Sequence, residues 1–314
     1  MNKKTEPFLS ILIPTWNRFE FVMKAIKSVG TISDKTEIIV VENDPDKEKF
    51  ALLKDNFTNS PGVKLFQNNQ NIGMVKNWNK CISYANGKWM GMLNDDDNYI
   101  EGAINRAHKL LEIVDSPSLI VQDPNIEKSL EKLPKGSAAK LNLPHVSGNF
   151  WHRKIIETIG GFDERFKYSA DVEFWYRAAH FFPVIKVKEP FAKHNYHGTN
   201  YMWTTWRQED FLEQIKLLGN TILKYTLENG KYTEEIVDKK IKEGLWDTIC
   251  TIIQTTYLNK DKQDIFKKYI KIAYNEADTF QKKRALMVFL LKVASRDFKC
   301  RLKCFGDKLI AKYV

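Results

Sequence analysis

Cysteine is sparse in this chain of 314 residues: Cys81, Cys250, Cys300 and Cys304 are the only four. That is too few for a disulfide scaffold, and their spacing fits no zinc pattern, so reduced thiols in a cytoplasmic compartment are expected. Long apolar runs are also missing. The longest, Ala285 to Leu291, falls far short of the about 20 residues that a membrane-spanning helix needs. The apolar stretch behind Lys3 and Lys4 stops at Pro14 and does not read as a secretory signal. No Walker loop, dinucleotide G-x-G-x-x-G or serine–histidine–acid arrangement occurs, and Ser147-Gly148-Asn149 is no nucleophile elbow, which needs G-x-S-x-G. Internal repeats and low-complexity tracts are absent too.

What is present supports a sizeable core: 43% of residues are hydrophobic and 12% aromatic, which excludes wholesale disorder. The net charge of +10 is uneven. Residues 281–314 hold ten Lys or Arg against two Asp, leaving only +2 for the remainder. An anionic partner is therefore expected for the tail alone, and no nucleic acid, which would require a wide basic face on the body.

From Phe8 to about Asn200, strand and helix patterns alternate. Phe8–Ile13 is a short apolar run ended by Pro14, as befits a buried parallel strand. Phe19–Val29 has helical spacing, and Glu37–Val41 is a second strand closed by Glu42-Asn43-Asp44-Pro45. A helix over 47–57, a strand at Val63–Phe66 and a helix over 74–85 follow, with Asn86-Gly87 as a left-handed cap. Trp89–Leu93 is a further strand that runs into Asn94-Asp95-Asp96-Asp97. Residues 124–144 read as a mobile surface loop. Beyond residue 200 the pattern turns helical, over roughly 209–227, 233–258, 262–275 and 280–312. The expected organisation is an α/β domain over 1–200, with a mostly parallel, Rossmann-like sheet flanked by helices. A helical region over 201–314 follows it.

Three adjacent carboxylates, Asp95 to Asp97, repel one another unless a cation sits among them. A solvated turn is the plain alternative, but the exit of a buried strand is where open α/β sheets bind ligands. Thr15, Asn17 and Arg18 leave the first strand at the same edge; Thr and Asn suit a base or ribose, and Arg suits a phosphate. Asn71-Ile72-Gly73 precedes a helix that carries Lys76 and Asn77 near its start, a setting that suits phosphate oxygens or simply an N-cap. Asp171 lies at the expected start of another helix. It could serve as a general base, or merely offset the helix dipole. His194 and His197 lie in a polar loop, where residue type alone favours a structural role.

Taken in order, Pro14-Thr15-Trp16-Asn17-Arg18, Val41-Glu42-Asn43-Asp44, Asn71-x-Gly73-x-x-x-Asn77, Asn86-Gly87-Lys88-Trp89 and Leu93-Asn-Asp-Asp-Asp97 form a joint pattern. It continues through Gly160-Gly161-Phe162-Asp163-Glu164, Ala170-Asp171-x-Glu173-Phe174-x-x-Arg177 and His197-Gly198-x-Asn200. The pattern resembles the family 2 glycosyltransferases of the GT-A fold over roughly residues 7–200. The resemblance implies an inverting, metal-dependent enzyme that moves a sugar from a nucleotide-diphosphate donor, a UDP-sugar, to a hydroxyl of a glycan or lipid-linked acceptor. It implies donor contacts at Pro14, Thr15, Asn17, Arg18, Glu42, Asn71, Lys76, Asn77, Asp95 and Asp96. It also implies Mn²⁺ or Mg²⁺ at Asp96, Asp97 and His197, with Asp171 as catalytic base. Three positions depart from the family pattern: Asn43 in the usual acidic pair, Asn94 at the start of the metal motif, and Ala170 before the base.

In the tail, Phe298, Leu302, Phe305 and Leu309 draw an apolar stripe among Lys and Arg. Over 298–312 this suits an amphipathic helix on an anionic membrane, or one packed on the body with its basic face solvated. A peripheral position at the inner membrane face and a homo-oligomer formed through the helical region are the corresponding expectations. Two other classes compete with a transferase. A nucleotidyltransferase would show a Gly-rich basic loop after the first strand, where this chain has Pro14-Thr15-Trp16, and a non-catalytic nucleotide-sugar binder would not need Asp171.

Overall fold

A computed structural model describes residues 6–30, 34–60, 62–137, 145–195, 197, 200–227, 235, 245, 248–253, 255–257 and 260–276. The amphipathic stripe at 298–312 and the helix expected over 280–312 lie outside the described residues. The chain divides into two compact units, one of residues 1–198 and 220–232, the other of 199–219 and 233–314.

The first unit is built on an eight-stranded sheet. Its elements run β1 (Leu9–Thr15), α1 (Phe19–Ser28), β2 (Thr36–Glu42), α2 (Lys47–Phe57), β3 (Val63–Gln67), α3 (Met74–Tyr84), β4 (Trp89–Met92), β5 (Asn98–Tyr99) and α4 (Ala103–Glu112). They continue with β6 (Leu119–Gln122), β7 (Leu130–Leu133), β8 (Phe150–His152), α5 (Arg153–Ile159), α6 (Ala170–Phe181), β9 (Val184–Val187) and β10 (Ala192–Lys193). The strand order is β3-β2-β1-β4-β8-β6-β9-β7, and β5 pairs separately with β10. Strands β3, β2, β1 and β4 are mutually parallel, β8 is antiparallel to both its neighbours, β6 and β9 are parallel, and β7 is antiparallel to β9. The sheet is thus mostly parallel and helix-flanked, as the alternating pattern implies.

Strands β1 and β2 are buried along their whole length, which is why they read as unbroken apolar runs. Pro14 does not end β1 as expected: the strand continues to Thr15, with Pro14 opposite Val41. The reason is geometric. Leu12 turns its carbonyl to Leu93 on the β4 side, and Thr15 turns its own to Asn43 on the β2 side. Pro14 shares the parity of Leu12, but β4 pairs with β1 only as far as Leu12, so its missing N–H faces no partner strand.

Two further expectations are corrected. Gly87 is not a left-handed cap, for it has no positive φ. It is required by close approach, because a Cβ there would lie 2.6 Å from both the backbone nitrogen and the hydroxyl of Ser10. Nor is 124–144 a single loop: Leu130–Leu133 forms edge strand β7 on β9, while 138–144 lie outside the described residues. Four residues flanked by polar ones carry too little periodicity to announce a strand.

From β1 the chain builds outward through β2 and β3, then returns to place β4 on the other side of β1. The gap beyond the C-terminal ends of β1 and β4 is therefore the switch point at which such sheets open a crevice. In the second unit, Arg207 forms a bidentate pair with Asp264 (2.6 and 3.1 Å), and Lys268 donates to the carbonyls of Arg207 and Gln208 (3.0 and 2.8 Å). Among the described residues, no helix is long and apolar enough to cross a membrane.

Candidate active site

Residues from both strands meet in that crevice. Thr15, the last residue of β1, donates its hydroxyl to Asp95 Oδ2 at 2.7 Å. Arg18 Nη1 donates to Asp95 Oδ1 at 3.2 Å and to Asp96 Oδ2 at 3.0 Å. His197 Nε2 lies 3.1 Å from Asp96 Oδ2, and its ring stacks on Phe21 from α1. Burial pushes the Asp95 carboxyl up to about 6, even though Arg18 and Thr15 favour its charged form.

Asp97 turns the other way and is almost fully buried. Its Oδ2 accepts from Ser147 Oγ at 2.6 Å and lies 3.2 Å from His194 Nδ1, and its Oδ1 accepts from the Asn195 N–H at 3.1 Å. Burial alone would raise its pKa. The hydrogen bonds from His194 and Ser147, with His145 nearby, outweigh it and hold the carboxyl below the usual range. The His145 ring packs against that of His194 at a tilt of 41°, with centroids 3.9 Å apart. Burial, and then His194, hold its pKa below that of an ordinary histidine.

Beside the acidic turn, Glu42 at the end of β2 accepts the N–H groups of Asn17 (3.1 Å) and Asp44 (2.9 Å). Burial raises its pKa against those bonds. Asn17 takes a positive φ of 53°, which orients this turn, and its side chain is held by Lys49 Nζ at 2.8 Å. Pro14 is buried within β1.

Asn71 and Asn77 belong to a different arrangement. Asn77 is buried, donating to the carbonyl of Val41 at 3.0 Å and accepting from Asn68 at 2.8 Å. Asn68 also bonds Asn43, which bonds Asn71. This amide ladder ties the ends of β2 and β3 to the start of α3. Lys76 stands exposed in the first turn of that helix.

Asp171 occupies the first turn of α6 and is half-buried. It makes no hydrogen bond or ion pair to the acidic turn. Burial pushes its carboxyl up to about 6, opposed only by nearby backbone N–H groups. Two turns of α6 are fastened from below. Arg177 pairs with Glu173 through two bonds (2.7 and 2.9 Å) and reaches back to the carbonyl of Gly161 at 2.7 Å. Tyr225 adds a hydroxyl 3.4 Å from the same Glu173.

The structure thus brings Thr15, Arg18, Asp95, Asp96 and His197 into one cluster and sets Asp97 behind it. Trp16, Gln122, His145, Ser147 and Asn195 join the site without being among the site residues expected from the sequence. Trp16 is 57% exposed beside Thr15, an unusual position for an indole, and only its place in the Pro14–Arg18 turn hinted at it. The others arrive from β6, the segment before β8 and the segment after β10, so no local spacing could have linked them to Asp97.

An oxygen and a nitrogen about 3 Å apart, as at Asp96 and His197, match the separation of adjacent ligands around a divalent cation with bonds of about 2.1–2.2 Å. A second group, Asp97, His145 and His194, also offers ligand atoms within 4.8 Å of one another. The donor chemistry of the crevice therefore fits a divalent cation.

An open, mostly parallel sheet with anionic and cationic side chains converging at its switch point defines an α/β protein of the GT-A type. The chain belongs to glycosyl transferase family 2, whose model matches residues 10–200. A GalNAc(5)-diNAcBac-PP-undecaprenol beta-1,3-glucosyltransferase from Campylobacter jejuni is 28% identical over 182 residues, 54% of this chain and 59% of that protein. The match thus spans less than two thirds of that relative. Among solved structures, residues 1–349 of S. aureus TarS in complex with UDP-GlcNAc align with a TM-score of 0.60 at 15% identity, covering 83% of this chain and 79% of that one. Mannosyltransferase PcManGT from Pyrobaculum calidifontis, in complex with GDP-Man and Mn²⁺, aligns with a TM-score of 0.56 at 12% identity, covering 94% and 88%.

Proposed function

We propose that this chain is an inverting glycosyltransferase that moves a sugar from a UDP-sugar to a hydroxyl of a glycan or lipid-linked acceptor. The observation that carries the reading is the cluster of Thr15, Arg18, Asp95, Asp96 and His197 at the β1–β4 switch point, within a family 2 domain. The TarS complex with UDP-GlcNAc supports a uridine donor, and the undecaprenol-linked substrate in the name of the Campylobacter relative supports a lipid-linked acceptor.

Asp96 and His197 would hold the cation, Mn²⁺ or Mg²⁺. When bound, it supplies positive charge against the diphosphate leaving group. Arg18 adds a guanidinium that can pass from the carboxylates to a phosphate oxygen. Trp16 offers an exposed aromatic face for a planar base, beside the polar groups of Thr15 and Asn17. Glu42 keeps the Asn17 turn in place through its two backbone bonds.

Asp171 acts as general base. It takes the proton of the acceptor hydroxyl while that oxygen bonds to the anomeric carbon. The bond from that carbon to the phosphate oxygen breaks on the opposite face, and its electron pair leaves with UDP. General base catalysis of this kind contributes about 10²–10⁴-fold. The test is UDP release from a panel of UDP-sugars with a polyprenyl-diphosphate glycan, with and without Mn²⁺. Release that requires metal and acceptor and is lost in Asp171→Asn supports the reading. Release unchanged by EDTA or by that variant would sink it.

A further inference from the structure

We infer that Gln122 fixes the tautomer of His194, making His194 a hydrogen-bond donor that positions Asp97 and the acidic turn, while the cation is left to Asp96 and His197. The inference rests on the cation site of the preceding section and assigns a role to two residues outside it.

The orientation of the Gln122 amide is determined by its backbone partners. Its Oε1 accepts the N–H groups of Phe191 (2.9 Å) and Ala192 (3.2 Å), and its Nε2 donates to the carbonyl of Ser147 at 3.1 Å. Flipping the amide would set NH₂ against two N–H groups and an oxygen against a carbonyl. The nitrogen is therefore the atom that faces His194 Nε2, at 3.4 Å. A donor there requires a lone pair on His194 Nε2, which places the ring proton on Nδ1. That nitrogen is 3.2 Å from Asp97 Oδ2 and donates to it.

The consequence separates two groups of similar composition. Asp97, His145 and His194 have the make-up of a metal cluster. Yet a ligating His194 Nδ1 would have to lose its proton, leaving an Nε2–H aimed at the Gln122 NH₂. Metal-bound histidines ordinarily donate that second N–H to a carboxylate or a carbonyl, whereas among the described residues the partner of Nε2 is the Gln122 NH₂. Asp97 is also engaged on both oxygens, by Ser147, His194 and Asn195. Asn195 reaches back as well, donating its side-chain amide to the carbonyl of Asp96 at 2.8 Å. Fixing Asp97 thus fixes the backbone that carries Asp96.

The test uses the full chain and Mn²⁺ alone as probe, followed by the electron spin resonance of free Mn²⁺. In His194→Asn the side-chain NH₂ replaces Nδ1–H, so donation to Asp97 survives without a ring nitrogen to bind metal. His194→Asn should keep Mn²⁺ affinity within about threefold of wild type, whereas His194→Ala should weaken it by about 10–100-fold, as expected for a group that orients a ligand. His197→Asn should lose binding. Long-range proton–nitrogen spectra of histidine-labelled protein should show His194 protonated on Nδ1. Equal losses in His194→Asn and His194→Ala would make His194 a ligand and overturn the inference, as would no loss in His194→Ala or a proton on Nε2. Failure of the wild-type protein to bind Mn²⁺ would count against the cation site itself, and the nitrogen spectrum would then decide the tautomer on its own.

Discussion

Thr15 and Asp95 lie 80 positions apart in sequence, yet the hydroxyl of one meets the carboxylate of the other at 2.7 Å because β4 returns to pair with β1. This bond favours the ionised form of a carboxyl that burial raises to about 6. Thr15→Val keeps the shape and removes the donor, so Asp95 should titrate higher still. A folded-state pKa above the unfolded value means that the charged form weakens the fold at neutral pH. The variant should be about 1.5–3 kcal/mol less stable at pH 7.5, the range for a hydrogen bond to a charged group. The gap should narrow near pH 5, where Asp95 is mostly protonated in both proteins. Urea unfolding at the two pH values measures it, and a gap independent of pH would refute the charge assignment.

Arg18 binds Asp95 and Asp96 through one nitrogen, Nη1, so a cation arriving at Asp96 competes with it. In Arg18→Met the two carboxylates lose their internal counter-charge. Mn²⁺ alone should then raise Tm by more than in wild type, while the added shift from UDP should shrink because a phosphate contact is gone. Identical shifts in both proteins would remove Arg18 from the donor site.

For Asp171, activity and stability should respond to pH in opposite directions. As a base it must be ionised, so kcat/KM should fall as pH drops through about 6. The fold, in contrast, prefers the protonated form between the unfolded value near 4 and the folded value near 6, so this group lowers stability as pH rises across that window. Asp171→Asn should therefore lose about 10²–10⁴-fold in turnover, yet melt at a higher temperature than wild type at pH 7.5, with the difference gone by pH 4. A variant equal to wild type in both readouts would leave Asp171 no part in either.

The alternation of buried runs and helical spacings was enough to read β1, β2, β4 and the helices beside them, because those strands are buried on both faces. Strand β8 carries no periodic signal of its own, since its three residues pair only with β4 and β6, partners far away in sequence. The site divides in the same way. Asp95, Asp96 and Thr15 announce themselves at strand ends, whereas Gln122 matters only through an amide orientation set by Phe191, Ala192 and Ser147. The start of α3 suits a phosphate contact, and Asn77 there is buried and turns its amide to the carbonyl of Val41.

Gly87 connects the fold to the site through packing alone. It follows α3 and leads into β4, whose far end carries the acidic turn, and its N–H donates to Ser10 Oγ at 2.8 Å. That hydroxyl in turn donates to Glu37 Oε1 at 2.6 Å, so the glycine sits against a buried polar network. A methyl group at position 87 would meet backbone atoms of Ser10 and Trp89 at 2.6 and 2.8 Å, neither of which can swing aside as the end of a side chain would. Gly87→Ala should then cost at least about 1–3 kcal/mol, the range for overpacked cores. Because the clash lies at the N-terminal end of β4, it should also shift the strand toward the acidic turn and weaken Mn²⁺ binding. Gly136→Ala is the control for glycine-to-alanine substitution at a site with open space: its positive φ of 81° carries a strain cost but no clash, so it should lower stability without changing Mn²⁺ affinity. Equal Mn²⁺ affinities in the two variants would show that β4 transmits nothing from Gly87 to Asp96.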